Sequence, residues 1–395
     1  MKGTINYHIG IEGMAAKFSV GVLANSEGTI ISAIRSQPIS LHTIPEDTLV
    51  MRLIKIVKTL LNEANLSTQI IPETSICIGL GGATFTYDRE FNLKENIFKK
   101  AKLNFPKIIC TGDAEITFVS CAQKRHGSIV ISHLGSTVLV VNAENDTIRF
   151  TRFGGWGQII GDEGSAYKMG LDVLKNISLS YDKKEPLSIL WKEVDAWLSN
   201  PEQSNYAWKL GAICWNEIKK QYENNLTNNG KIDPRTLLFY FSNHYNNSSK
   251  HNANNGLELW RNITGGFVVP LMRAYDKDKI AKEIVEKAIG QLVWQHKEAF
   301  NVSQSKISDH LVLYGGVFNH NPKFTNLFKQ KINKSYNHKF NFITKDSYEA
   351  MRPVCGALLL SLSNSETQRL RFPNEGVIKS VFKSQLNFPN ILDKS

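Results

Sequence analysis

The sequence predicts an α/β protein of two similar lobes, and three observations carry that reading. The first half orders its segments β-β-β-α-β-α-β-α. The second half repeats this order with helices inserted. At 395 residues, the chain is also too long for one compact core. In the first half, residues 5–12, 16–24 and 28–35 have the apolar, short-strand pattern, with a turn around Asn25 to Gly28. Residues 46–65 place Leu49, Leu53, Ile56, Val57, Leu60 and Leu61 at helical spacing. An apolar strand at 74–80, a helix at about 93–103, a strand at 107–111 and a helix from 113 complete the unit.

In the second half, residues 127–132, 136–142 and 147–152 are apolar and β-branched, with Asn145-Asp146 as a turn. A long helical region follows, then a strand at 310–315, a helix at about 321–333, a strand at 339–343 and a helix at 348–362. The expected division is a first lobe over 1–124 and a second over 125–369. A helical insertion falls at about 183–260, and the 370–395 segment is placed back against the first lobe. Within the insertion, Asn224 to Gly230 and Asn243 to Gly256 are polar; the latter reads as a surface loop or a lid.

Composition narrows the class. An apolar content of 42% and a charged content of 21% are ordinary for a globular protein. No apolar run approaches the roughly 20 residues of a membrane-spanning helix. Met1-Lys2-Gly3-Thr4 enters a strand-like segment without an apolar signal core, so a cytoplasmic location and no membrane partner are expected. The net charge of +11 is spread over separate pairs such as Lys99-Lys100, Lys183-Lys184 and Lys219-Lys220. Scattered pairs are solvated helix faces rather than a nucleic-acid stripe, so nucleic acid is not expected as a partner. Cys77, Cys110, Cys121, Cys214 and Cys355 are widely spaced without a CxxC pair and read as reduced structural thiols.

The most specific stretch is Phe153-Gly154-Gly155-Trp156-Gly157-Gln158-Ile159-Ile160-Gly161-Asp162-Glu163-Gly164-Ser165-Ala166-Tyr167. Its glycines suit a backbone that turns sharply or approaches a ligand closely. Asp162 and Glu163, just before a helix-like run from Ser165, either cap that helix or point into a cleft. This string resembles the sugar-site signature of the N-acetylglucosamine kinases, in the BadF/BadG-type branch of the actin-like ATPase superfamily. The resemblance covers about residues 5–365 and is weakest at 183–260.

The resemblance implies a two-lobed actin-like (ribonuclease H-like) fold and ATP-dependent phosphorylation of the 6-hydroxyl of N-acetylglucosamine or a related hexosamine. It brings in ATP and Mg²⁺, with an amino sugar as substrate and a homodimer as one assembly. Asp113, in Cys110-Thr111-Gly112-Asp113-Ala114, stands where a strand gives way to a helix. The residues alone leave it either a helix cap or a side chain in the cleft; the resemblance makes it the general base. By the same matching, Gly155, Trp156, Gly157, Asp162 and Ala166 line the sugar pocket, with Trp156 either packing or stacking. His42, in Ser40-Leu41-His42-Thr43, falls near the position of a sugar-contacting Asn.

On the nucleotide side, Glu12 and Gly13 match a first phosphate loop, with Glu12 reaching Mg²⁺ through water. Gly135 and Ser136 match a second loop, while Gly315 and Gly316 match the loop against the adenosine. Ile78-Gly79-Leu80-Gly81-Gly82-Ala83 resembles a further glycine-rich strand end. Both phosphate loops depart from the family pattern. Glu12-Gly13-Met14-Ala15-Ala16 stands for Glu-Gly-Gly-Gly-Thr, and His133-Leu134-Gly135-Ser136 stands for Gly-Thr-Gly-Ser. The alternative is therefore a catalytically impaired sugar-binding or regulatory homologue. Widely spaced cysteines exclude iron–sulfur activators of radical dehydratases, and the lack of a Cys/His cluster excludes zinc-bearing sugar kinases.

Overall fold

A computed structural model describes residues 4–13, 18–40, 44–81, 98, 103–124, 126–144, 147–183, 188–199, 261, 264–344, 352–363 and 375–385. The first sheet contains β1 (Tyr7–Gly13), β2 (Ser19–Asn25), β3 (Ile30–Ser36), β4 (Thr74–Leu80) and β5 (Lys107–Gly112) in the order β3-β2-β1-β4-β5. The second contains β6 (Gly127–Ser132), β7 (Ser136–Glu144), β8 (Thr147–Phe153), β9 (His310–Tyr314) and β10 (Asn341–Ile343) in the order β10-β9-β6-β7-β8. Read from their outer hairpin strands, the two sheets have the same order. In each, the first three strands pair antiparallel and the first also pairs parallel with the fourth. The duplication expected from the sequence is thus present as topology.

Two buried helices lie between the sheets. They are α2 (Asp113–Ala122), which follows α1 (Glu46–Glu63) and β5, and a later helix over Pro353–Leu362. Both are buried along nearly their whole length, which explains why the second reads Pro-Val-Cys-Gly-Ala-Leu-Leu-Leu-Ser-Leu with no polar face. Their side chains share one apolar cluster with Val20 and Val22 of the first sheet and Ile129, Leu139 and Val312 of the second. Close approach depends on glycine: a Cβ on Gly356 would lie 1.9 Å from the Ile116 carbonyl oxygen, and one on Gly10 would lie 2.6 Å from Leu358 N. Outside this layer, α1 covers the first sheet with its Leu49, Leu53, Ile56, Val57, Leu60 and Leu61 face.

The second sheet is covered by α3 (Ala166–Asp182), α4 (Ile189–Ser199), α5 (Val268–Ala274), α6 (Lys279–Ser303), α7 (Gly316–His320) and α8 (Pro322–Tyr336). Completing chain order, α9 is the Pro353–Leu362 helix and α10 spans Glu375–Gln385. In α10, Ser380 Oγ lies 3.2 Å from Thr29 Oγ1 beside the β2–β3 turn.

Several boundaries differ from expectation. β1, β2 and β3 begin two or three residues later than 5, 16 and 28. The helix expected at about 321–333 is α8, which Pro322 starts and which runs on to Tyr336, while the short α7, ended by Asn321 at φ −129°, lies before that expected range. The strand expected at 339–343 pairs only over Asn341–Ile343. Within the helix expected at 348–362, described helix begins at Pro353 after extended Arg352. The expected helix at 93–103 apart from Phe98 and Leu103, the Asn145-Asp146 turn, both polar stretches of the insertion and Cys214 lie outside the described residues. The other four cysteines are free thiols. Among the described residues no helix is long and apolar enough to cross a membrane, and no group of three metal-ligating side chains occurs.

Candidate active site

Most of the expected site residues stand at or just beyond the carboxyl ends of β1, β5, β6, β8 and β9. β5 ends at Gly112 and α2 starts at once with Asp113. Asp113 caps its own helix locally, since the Ala114 N–H donates to Oδ1 at 2.9 Å, yet its side chain remains exposed. A Cβ on Gly81, just beyond β4, would stand 3.7 Å from Asp113 Oδ2, so this glycine leaves the carboxylate room. Asp113 thus satisfies one N–H in the first turn of α2 while its side chain stays exposed.

Glu12 lies near the end of β1 and is buried, and its Oε2 accepts the Val354 N–H at 3.2 Å. Burial pushes its carboxyl up to about 7; the neighbouring Asp113 charge adds to this, while the Val354 bond and Arg352 oppose it. A Cβ on Gly13 would meet Leu80 Cδ2 at 2.3 Å and Ile39 O at 2.8 Å, so strand packing alone requires glycine there. Met14, Ala15, Ala16 and His42 lie outside the described residues.

The Phe153–Tyr167 loop is shaped by positive φ angles at Gly154 (73°), Gly155 (71°), Gly157 (87°), Gly164 (82°) and the non-glycine Asp162 (65°). A side chain at Gly155 would press on Thr137 Oγ1 at 2.9 Å, whereas nothing lies within 4 Å of a Cβ on Gly157. Trp156 is 61% exposed rather than packed, with the Arg152 guanidinium 5.7 Å from its ring centre. Helix α3 is capped by the Ser165 hydroxyl, which accepts the Lys168 N–H at 3.2 Å, and not by Asp162. Ala166 is buried, and its N–H donates to His133 O at 2.8 Å.

Asp162 is 4% exposed, and its carboxylate is engaged within the protein. Oδ2 accepts Arg261 Nη2 at 2.9 Å, and Oδ1 accepts the Ser136 N–H at 3.4 Å. Burial pushes this carboxyl up, partly opposed by Arg261 and by the Ser136 and Gly157 backbone donors. The β6–β7 hairpin carrying Gly135 and Ser136 is thereby joined to the glycine-rich loop. Ser136 Oγ also donates to Glu163 O at 2.7 Å. Across the site, Gly315 has φ 107°, and a Cβ there would fall 2.3 Å from Ser132 O. The neighbouring Gly316 is less crowded, with His320 and His133 ring atoms no nearer than 3.7 Å.

Residues absent from the sequence expectations tie these parts together. Arg152, paired with Leu139 in the β7–β8 ladder, is pulled down by burial while the charges of Glu115, Asp113 and Asp162 oppose that shift. One cation from the second sheet thus feels carboxylates from both halves of the site. Gln295 of α6 donates from Nε2 to Glu163 O at 2.9 Å, and a Cβ on Gly154 would strike its Oε1 at 2.2 Å, so it props the loop from behind. Arg261 and Arg352 complete the cations. Only Arg152 carried a sequence signal, as an arginine two residues before the first glycine of the motif. A separate cavity of about 340 Å³ on the outer side of Glu163 has its Lys168, Lys287 and Asp172 charges paired locally.

Two sheets of identical order enclosing buried helices, with carboxylates and glycine turns at the strand ends, define a two-lobed actin-like ATPase fold. The chain belongs to the BadF/BadG/BcrA/BcrD ATPase family, whose profile matches residues 10–223. It is 38% identical over 141 residues to the N-acetylmuramic acid/N-acetylglucosamine kinase of Clostridium acetobutylicum, covering 35% of this chain and 44% of that protein. It is 28% identical over 201 residues to the N-acetyl-D-glucosamine kinase of Dictyostelium discoideum, covering 46% of this chain and 57% of that one. The matched segments therefore span about half the length of these curated relatives. A crystal structure from Chromobacterium violaceum, provisionally named an N-acetylglucosamine kinase, superposes with a TM-score of 0.56. It is 16% identical and covers 91% of this chain and 100% of its own, a likeness of fold.

Proposed function

We propose that this chain is an ATP-dependent amino-sugar kinase acting on the 6-hydroxyl of N-acetylglucosamine or a related hexosamine. The observation that carries the reading is the Phe153–Tyr167 loop, whose positive-φ glycines and buried Asp162 follow β8, in a chain similar to two N-acetylglucosamine kinases. A hydroxyl held beside the Gly155–Gly157 backbone and Asp162 lies on the Asp113 side of the site. Asp113 takes its proton as the hydroxyl oxygen bonds to the terminal phosphorus and the bond from that phosphorus to the bridging oxygen breaks. Trp156, open to solvent, offers an apolar face to the sugar ring.

On the nucleotide side, the chemistry of the residues fits a triphosphate. Gly315 turns the chain close against Ser132, Gly316 beside it meets nothing nearer than 3.7 Å, and Arg261 and Arg352 supply positive charge. Glu12 would hold Mg²⁺ through water, and the metal would neutralise charge on the phosphate oxygens. The proposed lobes are residues 1–124 and 125–369, with 370–395 returning to the first; closure between them would exclude water.

A second reading, a sugar-binding homologue without transfer activity, is favoured by the phosphate hairpin. Leu134 has no donor there, and Ser136 Oγ is already committed to Glu163 O. A coupled ADP-release assay over a panel of hexosamines with Mg²⁺ separates the two readings. Turnover on an N-acetylhexosamine is expected; calorimetric sugar binding without Mg-ATP binding or turnover would leave only the second.

A further inference from the structure

The cation against the phosphate hairpin comes from a distant part of the chain. Arg261 Nη2 lies 2.9 Å from Asp162 Oδ2, and a Cβ built on Gly135 would also fall 2.9 Å from the same nitrogen. The guanidinium is thus laid over the turn between β6 and β7, where His133 N–H donates to Gly135 O at 2.8 Å. The following segment stays on that turn, since a Cβ on Gly265 would touch Leu134 Cδ2 at 2.6 Å. A guanidinium has five N–H donors in a planar fork. Asp162 takes one, while Arg261 Nε is buried and has no hydrogen-bond partner.

A buried, unmet donor is costly and calls for an acceptor. No side chain of the hairpin beneath accepts it. Leu134 is apolar, Gly135 is bare, and Ser136 Oγ donates away to Glu163 O. The Ser136 amide is only loosely engaged, at 3.4 Å from Asp162 Oδ1. An incoming anion would therefore find a backbone N–H and a fixed planar cation side by side, the arrangement that suits a phosphoryl group.

We infer that Arg261, whose side chain is 30% exposed, is a phosphate-binding residue that donates to the terminal phosphate of a nucleoside triphosphate from the N–H groups Asp162 leaves free, while Nη2 keeps hold of Asp162. The inference rests on the kinase reading for its nucleotide and deepens it, assigning Arg261 a direct contact where that reading asked only for positive charge. It also supplies donors beside Gly135 at a hairpin that lacks a side-chain hydroxyl of its own to offer. Because the same guanidinium holds Asp162, nucleotide and sugar loop are connected through one side chain.

The test is calorimetry of the full chain with a Mg²⁺-bound β,γ-imido ATP analogue, with tripolyphosphate and with adenosine. Arg261→Ala is expected to weaken the analogue and tripolyphosphate by about 10- to 100-fold, the loss of a bond to a charged group. Adenosine affinity should stay the same. Arg261→Lys, which keeps the charge and guards against a folding defect, should recover part of the loss; far-UV circular dichroism and thermal unfolding check both variants. Unchanged analogue affinity in Arg261→Ala overturns the inference, as does a parent protein that binds neither phosphate probe. So does a variant that loses only sugar affinity, since that marks a purely structural role through Asp162. If the parent binds the analogue, Arg261→Ala loses it, and no hexosamine is turned over, the kinase reading fails and the role of Arg261 stands.

Discussion

The Val354 N–H donates to Glu12 Oε2 at 3.2 Å, clamping the end of β1 to the first turn of α9 across 342 residues of sequence. This bond holds a carboxylate at the edge of the candidate site in a setting that weakens its charge: burial pushes it up to about 7. The helix N-terminus offers it a positive end. Glu12 is therefore both part of the packing of α9 and a charge available to the site.

Glu12→Gln separates these roles, because the amide oxygen still accepts the Val354 N–H. Thermal stability should stay close to that of the parent. The Mg²⁺ concentration for half-maximal activity should rise by about tenfold, as loss of a charge-assisted contact predicts. A Mg²⁺ titration at fixed ATP reads this directly, and an unaltered curve would remove Glu12 from the metal's surroundings.

Asp113→Asn should abolish nearly all phosphoryl transfer, a loss of about 10²- to 10⁴-fold for a general base. Sugar affinity should be nearly unchanged, and so should stability, since the Asn side chain can still accept the Ala114 N–H that caps α2. Turnover at the parent rate would show that some other group takes the proton.

Gly356→Ala tests the layer between the sheets. Its Cβ would lie 1.9 Å from the Ile116 carbonyl oxygen, which is backbone and cannot swing away. The α2–α9 contact must separate, at a cost of about 1–3 kcal/mol or more. Activity should fall along with the melting temperature, because α2 carries Asp113 and α9 holds Glu12. A melting temperature equal to the parent's would mean that the two helices are not packed this closely.

Acid should destabilise the fold through two histidines. Burial pulls His8 down to about 4 and His296 to about 3, against an ordinary 6.5. Below pH 6.5 the unfolded chain therefore binds protons that the native chain refuses. The stability is present above 6.5 and lost as pH falls towards 4 and 3. At pH 5 each histidine accounts for about 2 kcal/mol. Urea midpoints at pH 7 and pH 5 measure the loss, and His296→Gln should reduce the difference between them. An identical pH dependence in that variant would show that His296 is not the group responsible.

Much of the fold was legible because its signals are local. The strand over 74–80 matches β4 residue for residue, since Ile76 to Leu80 is a continuous apolar run of the kind a strand buried on both faces requires. The helical spacing of Leu49 to Leu61 matches the buried face of α1. The short α7 over Gly316–His320 was less visible, because five residues are too few to carry a helical periodicity. In the site, the glycine-rich loop stood out because several positive φ angles demand glycine at fixed spacing. The partners of Asp162 left no such trace: Arg261 is 99 residues away and Ser136 is 26 residues away.

Chain order alone therefore settled which segments are strands and helices, that the pattern occurs twice, and which loop is too glycine-rich to be a simple connection. Periodicity and φ requirements act over a few residues, so they are written in the order of the chain. Only folding decided that α2 and α9 lie between the sheets and that Ser165, not Asp162, caps α3. Folding likewise set Arg152 within the field of both carboxylates and laid Arg261 over Gly135. Those outcomes depend on burial and on charges brought together from distant segments, and neither exists until the sheets have closed on their common core.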